Sequence, residues 1–130
     1  MKVTVGELMV EAVIQVGEQE TLGEAKEKMS AHHIGAVPVV NSEGVLVGII
    51  TADDLVSDYP STLPVSRVMS APVHTLAPEA DAAQAARMMR EHRHHHIVVV
   101  EGTRVTGILS TFDLLGLIEE SAEQLDKDLS

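Results

Sequence analysis

Two stretches of the chain place a hydroxyl and, three residues on, a carboxylate just after an apolar run: Thr51 with Asp54, and Ser110 with Asp113. At a helix start such a pair has two uses. One is a cap, in which the hydroxyl at the N-cap and the acid at the third helical position satisfy orphan amides. The other is ligand binding, in which free amides and the hydroxyl receive a phosphate while the carboxylate accepts both hydroxyls of a ribose. The two uses can coexist, and the spacing leaves both open. A carboxylate repels phosphate, so the sugar is the target that the second reading gives Asp54 and Asp113.

A second concentration of chemistry is His92, His94, His95 and His96, four of the seven histidines. Imidazoles near a helix C-terminus interact well with the dipole and are often simply solvated. They are also common metal ligands. Neighbours on a strand face opposite sides, so His94, His95 and His96 cannot converge on one ion once a strand has begun, and no metal site is expected.

The elements that must carry these residues come from a duplication. Val5-Gly6-Glu7-Leu8-Met9 aligns with Val65-Ser66-Arg67-Val68-Met69 at an offset of 60, which also joins Ala25 to Ala85, Met29 to Met89 and Val39-Val40 to Val99-Val100. After one deletion, Gly48-Ile49-Ile50-Thr51 and Asp54-Leu55 match Gly107-Ile108-Leu109-Ser110 and Asp113-Leu114 at 59. Thr21 and Glu24 have the form of a capping box ahead of a helix with Leu22, Ala25 and Met29 on one face. Asp81 and Gln84 stand in the same place before Ala85, Met88 and Met89. Val37 to Val40 and Val45 to Ile50, split by Asn41-Ser42-Glu43-Gly44, predict a hairpin, as do Ile97 to Val100 and Val105 to Leu109. Second helices are predicted to start at Thr51 and Ser110. The divisions are residues 1–60, with a connector near 57–64, then 61–118, then an acidic tail at 119–130 that reads as a solvated helical extension. A unit of about 60 residues buries too little surface alone, so the halves should share one module.

Met9, the run Ile34-Gly35-Ala36-Val37-Pro38-Val39-Val40 and the run Gly48 to Leu55, each repeated in the second half, resemble the pattern of cystathionine-β-synthase-type (CBS) domains over roughly residues 3–118. The resemblance implies an α/β (α+β) fold of two tandem β-α-β-β-α repeats packed through their sheets with pseudo-two-fold symmetry. It also implies two clefts that hold an adenosine-type ligand, AMP, ADP, ATP or S-adenosylmethionine, and pairing with a second module into a homodimer. Asp54 and Asp113, with Thr51 and Ser110, then face the clefts. The strand entries at Ala36, Val37 and Pro38, and at Ile97 and Val98, offer an apolar slot for the purine. Val98 departs from the pattern, which often has proline there. In the family the two residues before the strand entry are often basic, one toward each cleft. Here they are His95 and His96, whereas Gly35 and Ala36 supply no cation in the first half.

Charge divides unevenly in the same sense. Residues 1–60 carry −7, residues 61–118 carry 0 and the tail carries −4, and all five arginines lie in the neutral section. The phosphate end of a ligand is therefore expected toward Arg90, Arg93, His95 and His96, with Arg67 a secondary candidate. Thr51 and Asp54 with His96 form the preferred cleft.

The net charge of −11 and the lack of tryptophan, with one Phe and one Tyr, argue against nucleic acid. No start resembling a signal peptide and no stretch of about 20 apolar residues is present, so a cytoplasmic protein without a membrane partner is expected. The chain has no cysteine. Phosphate-loop, nucleophile-elbow and zinc-protease motifs are missing, so the reading is a sensor that catalyses nothing and signals through an effector protein. A structural dimerisation module with empty clefts is the alternative.

Overall fold

Residues 2–130 are described by a computed structural model. In chain order the regular elements are α1 (Val5–Leu8), β1 (Val16–Gly17), α2 (Leu22–His32), β2 (Ala36–Val40), β3 (Leu46–Thr51), β4 (Thr75–Leu76), α3 (Ala82–His92), β5 (His96–Glu101), β6 (Arg104–Ser110) and α4 (Thr111–Leu129). The capping box forms as the spacing predicts: Thr21 Oγ1 accepts from Glu24 N at 3.2 Å, and Glu24 Oε2 accepts from Thr21 N at 3.3 Å. Leu22, Ala25 and Met29 are the buried face of α2. Asp81 stands at the N-cap of α3 without a capping bond and pairs instead with Lys2 Nζ at 3.2 Å.

Each half builds a three-stranded sheet, ordered β1-β2-β3 and β4-β5-β6, with a parallel first pair and an antiparallel hairpin. The β-branched runs form the hairpins, each observed strand lying within a residue of the predicted one. Asn41 Oδ1 shapes the first turn by accepting from Glu43 N and Val45 N at 2.9 and 3.0 Å. One predicted element fails. After Thr51 the chain makes a single 3₁₀ turn, Ala52–Leu55, and no helix. Val56, Ser57 and Asp58 are weak helix formers, and Pro60 disfavours helical backbone at Tyr59. The second half has Leu114, Leu115, Leu117 and Ile118 at the same stage, and α4 runs for 19 residues through the acidic tail.

The cores do not follow the sequence repeat. Val65, with Leu63, Val68 and Met69 against it, completes the cluster of Val16, Leu22, Ala25, Met29, Val37, Val39 and Ile50. Val5, with Leu8 and Met9, completes the cluster of Leu76, Ala85, Met89, Ile97, Val99 and Leu109. The opening segment of each half therefore packs on the other half's sheet. Backbone pairs fix the exchange: Ile49 and Ser70 bond reciprocally at 3.1 and 3.0 Å, as do Val10 and Ile108 at 2.9 and 3.0 Å. Met69 lies against Gly48 and Met9 against Gly107, so closely that a Cβ on either glycine would run into the methionine side chain. The hairpins also meet, Leu46 N donating to Thr103 O at 3.1 Å.

Gly107→Val is expected to destabilise the fold by about 1–3 kcal/mol through overpacking against Met9. Urea unfolding checks it. A midpoint equal to that of the unmodified protein would mean that this contact yields freely.

Candidate functional site

The two carboxylates are held by their own backbone. Asp54 Oδ2 accepts from Thr51 N at 2.8 Å and Thr51 Oγ1 at 3.2 Å. Asp113 Oδ2 accepts from Ser110 N at 2.8 Å and Ser110 Oγ at 3.0 Å, and Ser110 Oγ accepts from Asp113 N at 3.3 Å. The cap use is thus realised at one oxygen of each acid. Oδ1 of each makes no hydrogen bond among the described residues and remains free to accept.

Each acid lines a cleft. Thr51, Asp53 and Asp54 form one wall of a 440 Å³ cleft whose opposite wall is Ser70, Pro72, Val73 and His74, with Arg93, His94, His95 and His96 closing one end. Ser110, Phe112 and Asp113 form the wall of a 410 Å³ cleft facing Val10, Ala12, Val13 and Ile14, with His33, Ile34, Ala36, His95 and His96 beside them. Both volumes suit a small ligand. The 59- and 60-residue offsets exchange one set of lining residues for the other almost completely.

Four of the expected lining residues do not reach either cleft. Val37, Pro38, Ile97 and Val98 are fully buried. Val37 and Ile97 point into their own core clusters, and Pro38 and Val98 are buried on the opposite strand faces, because strand neighbours alternate. The apolar surface comes instead from Ile49 in the first cleft and from Ile108 with Val10, Val13 and Ile14 in the second. Arg90 is also displaced from its expected place. It lines a separate groove between α3 and α4 with Met89, Leu114 and Ile118, while Arg93 alone of the arginines reaches a cleft. His95 and His96 each line both clefts, not one apiece.

The first amide of each helix start is already bonded within the chain. Ala52 N donates to Gly35 O and Thr111 N to His95 O, both at 2.9 Å, and the cap amides go to the carboxylates. The segments 10–14 and 70–74, and Phe112, were missed by sequence reasoning. The only signal was that the offset of 60 continues past Met9 and Met69 to Val13 and Val73.

Burial holds the His96 imidazole below the usual histidine range, the charge of His95 acts in the same direction, and Asp113 opposes them. The ring lies over the Gly35 backbone, where a Cβ would stand 3.3 Å from His96 Cε1. His74 is also lowered, by desolvation and then by His92 and His94. Its ring stacks on His92 with centroids 4.0 Å apart. No helix among the described residues is long and apolar enough to cross a membrane.

Comparison with known proteins gives this geometry a context. The family model described as CBS domain matches residues 5–61 and again 65–120. Protein MJ1404 of Methanocaldococcus jannaschii is 29% identical over 134 residues, covering 89% of this chain and 32% of that protein. The CBS domain-containing protein YhcV of Bacillus subtilis is 30% identical over 116 residues, covering 85% and 82%. The chain thus spans about a third of the first relative and most of the second. In fold it is similar to the CBS domain pair of protein MJ0100, solved in complex with 5′-methylthioadenosine and S-adenosyl-L-methionine. The TM-score is 0.86 at 24% identity, covering 93% of this chain and 99% of that one.

A histidine lowered in the folded state binds fewer protons there than in the unfolded chain. Stability should therefore fall as pH drops through the ordinary imidazole range near 6.5. His96→Gln is expected to flatten the melting temperature profile between about pH 7.5 and 5.5. An unchanged profile would remove His96 as its source.

Proposed function

Because this chain belongs to the CBS-domain family through both of its repeats, we propose that it is a regulatory module that binds an adenosine-containing ligand in the clefts between the repeats. The observation that carries this reading is the pair of carboxylates, each with Oδ2 tied to its cap and Oδ1 free at the wall of a cleft. Such an oxygen accepts from the 2′ and 3′ hydroxyls of a ribose, while the Thr51 and Ser110 hydroxyls stand beside it. The purine lies against the apolar wall, Ile49 in one cleft and Ile108 in the other.

A phosphorylated ligand, AMP, ADP or ATP, is directed to the Asp54 cleft, where Arg93 supplies positive charge and His74, His94, His95 and His96 supply imidazoles. Phosphate near an imidazole favours its protonated form. Binding then takes up a proton wherever the free imidazole is neutral. His96, lowered in the free protein, is neutral at pH 7. S-adenosylmethionine, with its own cation, suits that charge less well.

We read the protein as cytoplasmic and non-catalytic, with its output passed to an effector protein or through a homodimer. Leu115, Ile118, Leu125 and Leu129 on α4 are exposed apolar side chains. They favour α4 as the surface on which two copies meet, and this observation also supports a purely structural dimerisation module.

AMP is expected to raise the melting temperature, and its affinity, measured by calorimetry, is expected to increase from pH 8 to pH 6. Asp54→Asn should weaken AMP by roughly 10- to 100-fold, the loss of hydrogen bonds to a charged group. If AMP, ADP, ATP and S-adenosylmethionine all leave the protein unaffected, the structural reading replaces this one.

A further inference from the structure

The duplication allows the two clefts to be compared position by position. What they share is the equipment for a common group: Thr51 and Asp54 correspond to Ser110 and Asp113, Ile49 corresponds to Ile108, and His95 and His96 border both. What separates them lies farther along. His74 and His94 of the first cleft are replaced in the second by Ile14 and Ile34. Arg93 is replaced by His33, and the exposed acid Asp53 by the exposed aromatic Phe112.

Arg93 and His33 also share a backbone conformation. Among the described residues they are the two non-glycine positions with positive φ, +57° and +53°, each ending the helix of its half. Glycine takes that conformation without penalty and is the usual residue there. A basic residue type stands at this point in both halves, at the margin of a cleft each time.

We propose that the clefts take two different adenosine ligands, a 5′-phosphorylated one at Asp54 and one with an uncharged apolar 5′ substituent, alkyl or thioether, at Asp113. This rests on the adenosine reading above. The discriminating side chains are Arg93, His74 and His94 in the first cleft and Ile14, Ile34 and Phe112 in the second. A phosphate brought against the two isoleucines loses water there and finds none of Arg93, His74 and His94 in exchange. A methylthio group there packs on aliphatic surface, and its sulfur is polarisable enough to favour contact with the Phe112 ring.

The test uses the full chain with AMP and 5′-methylthioadenosine, each titrated by calorimetry alone and in the presence of the other. Asp54→Asn is expected to weaken AMP on the order of tenfold or more and leave 5′-methylthioadenosine unchanged, and Asp113→Asn to do the reverse. Each ligand should bind at one per chain whether or not the other is saturating. Since Asp113 also caps α4, Phe112→Asp provides a variant at an exposed position outside the cap. It should weaken 5′-methylthioadenosine severalfold and spare AMP. Mutual displacement, or loss of both ligands through the same aspartate, overturns the assignment while leaving the adenosine reading in place. Failure of both ligands to bind the unmodified protein overturns the adenosine reading and this inference with it.

Discussion

The exchange of opening segments between the halves is the constraint on which the remaining architecture depends. Val5, Leu8 and Met9 complete the core of the second sheet, and Val65, Val68 and Met69 complete that of the first. Gly48 and Gly107 make the exchange possible, since only an absent side chain lets each methionine lie so close to the strand. Neither half can bury its own helix and sheet alone, so the cooperative unit is the pair. The exchange also creates the clefts. Segment 10–14 must cross from α1, seated on the second sheet, to β1 of the first, and segment 70–74 makes the reverse crossing. These crossings are the walls that face Asp113 and Asp54.

A scaffold built this way produces two crevices of nearly equal size whose backbones are tied down by the same bonds. The carboxylates are oriented by Thr51 N and Ser110 N at 2.8 Å in each case, so the polar anchor does not depend on a ligand to form. Preorganisation of that kind limits the entropy lost on binding. Variation is then free at positions that neither cap a helix nor fill a core, and there the halves have diverged in charge: five arginines and the histidine cluster fall in the second half, ten acids in the first.

How much of this could be read from residues alone depended on whether the signal was local. Thr21 with Glu24, the β-branched runs and Asn41-Ser42-Glu43-Gly44 encode short-range bonds, and they formed where their spacing put them. The pairs Thr51–Asp54 and Ser110–Asp113 were legible for the same reason, as caps whose second oxygen is left over. What a segment does to a distant partner was not legible. Nothing in Val10 to Ile14 announces that it bridges two sheets. Val37, Pro38, Ile97 and Val98 have a composition that suits a purine slot or a core equally, and their burial decides for the core. Arg90 and Arg93 are one helical turn apart, yet the left-handed residue at the end of α3 sends the chain round so that only Arg93 borders a cleft.

The same architecture places shared side chains between the clefts. His95 and His96 border both, and the His96 ring lies against Gly35 while feeling the charge of Asp113. Burial keeps that imidazole neutral more readily than an exposed one, and a negative charge beside it favours the protonated form. An anion at the Asp54 side supplies such a charge. Coupling between two sites requires a shared group whose state each site biases. In this molecule His96 is a titratable side chain that borders both clefts.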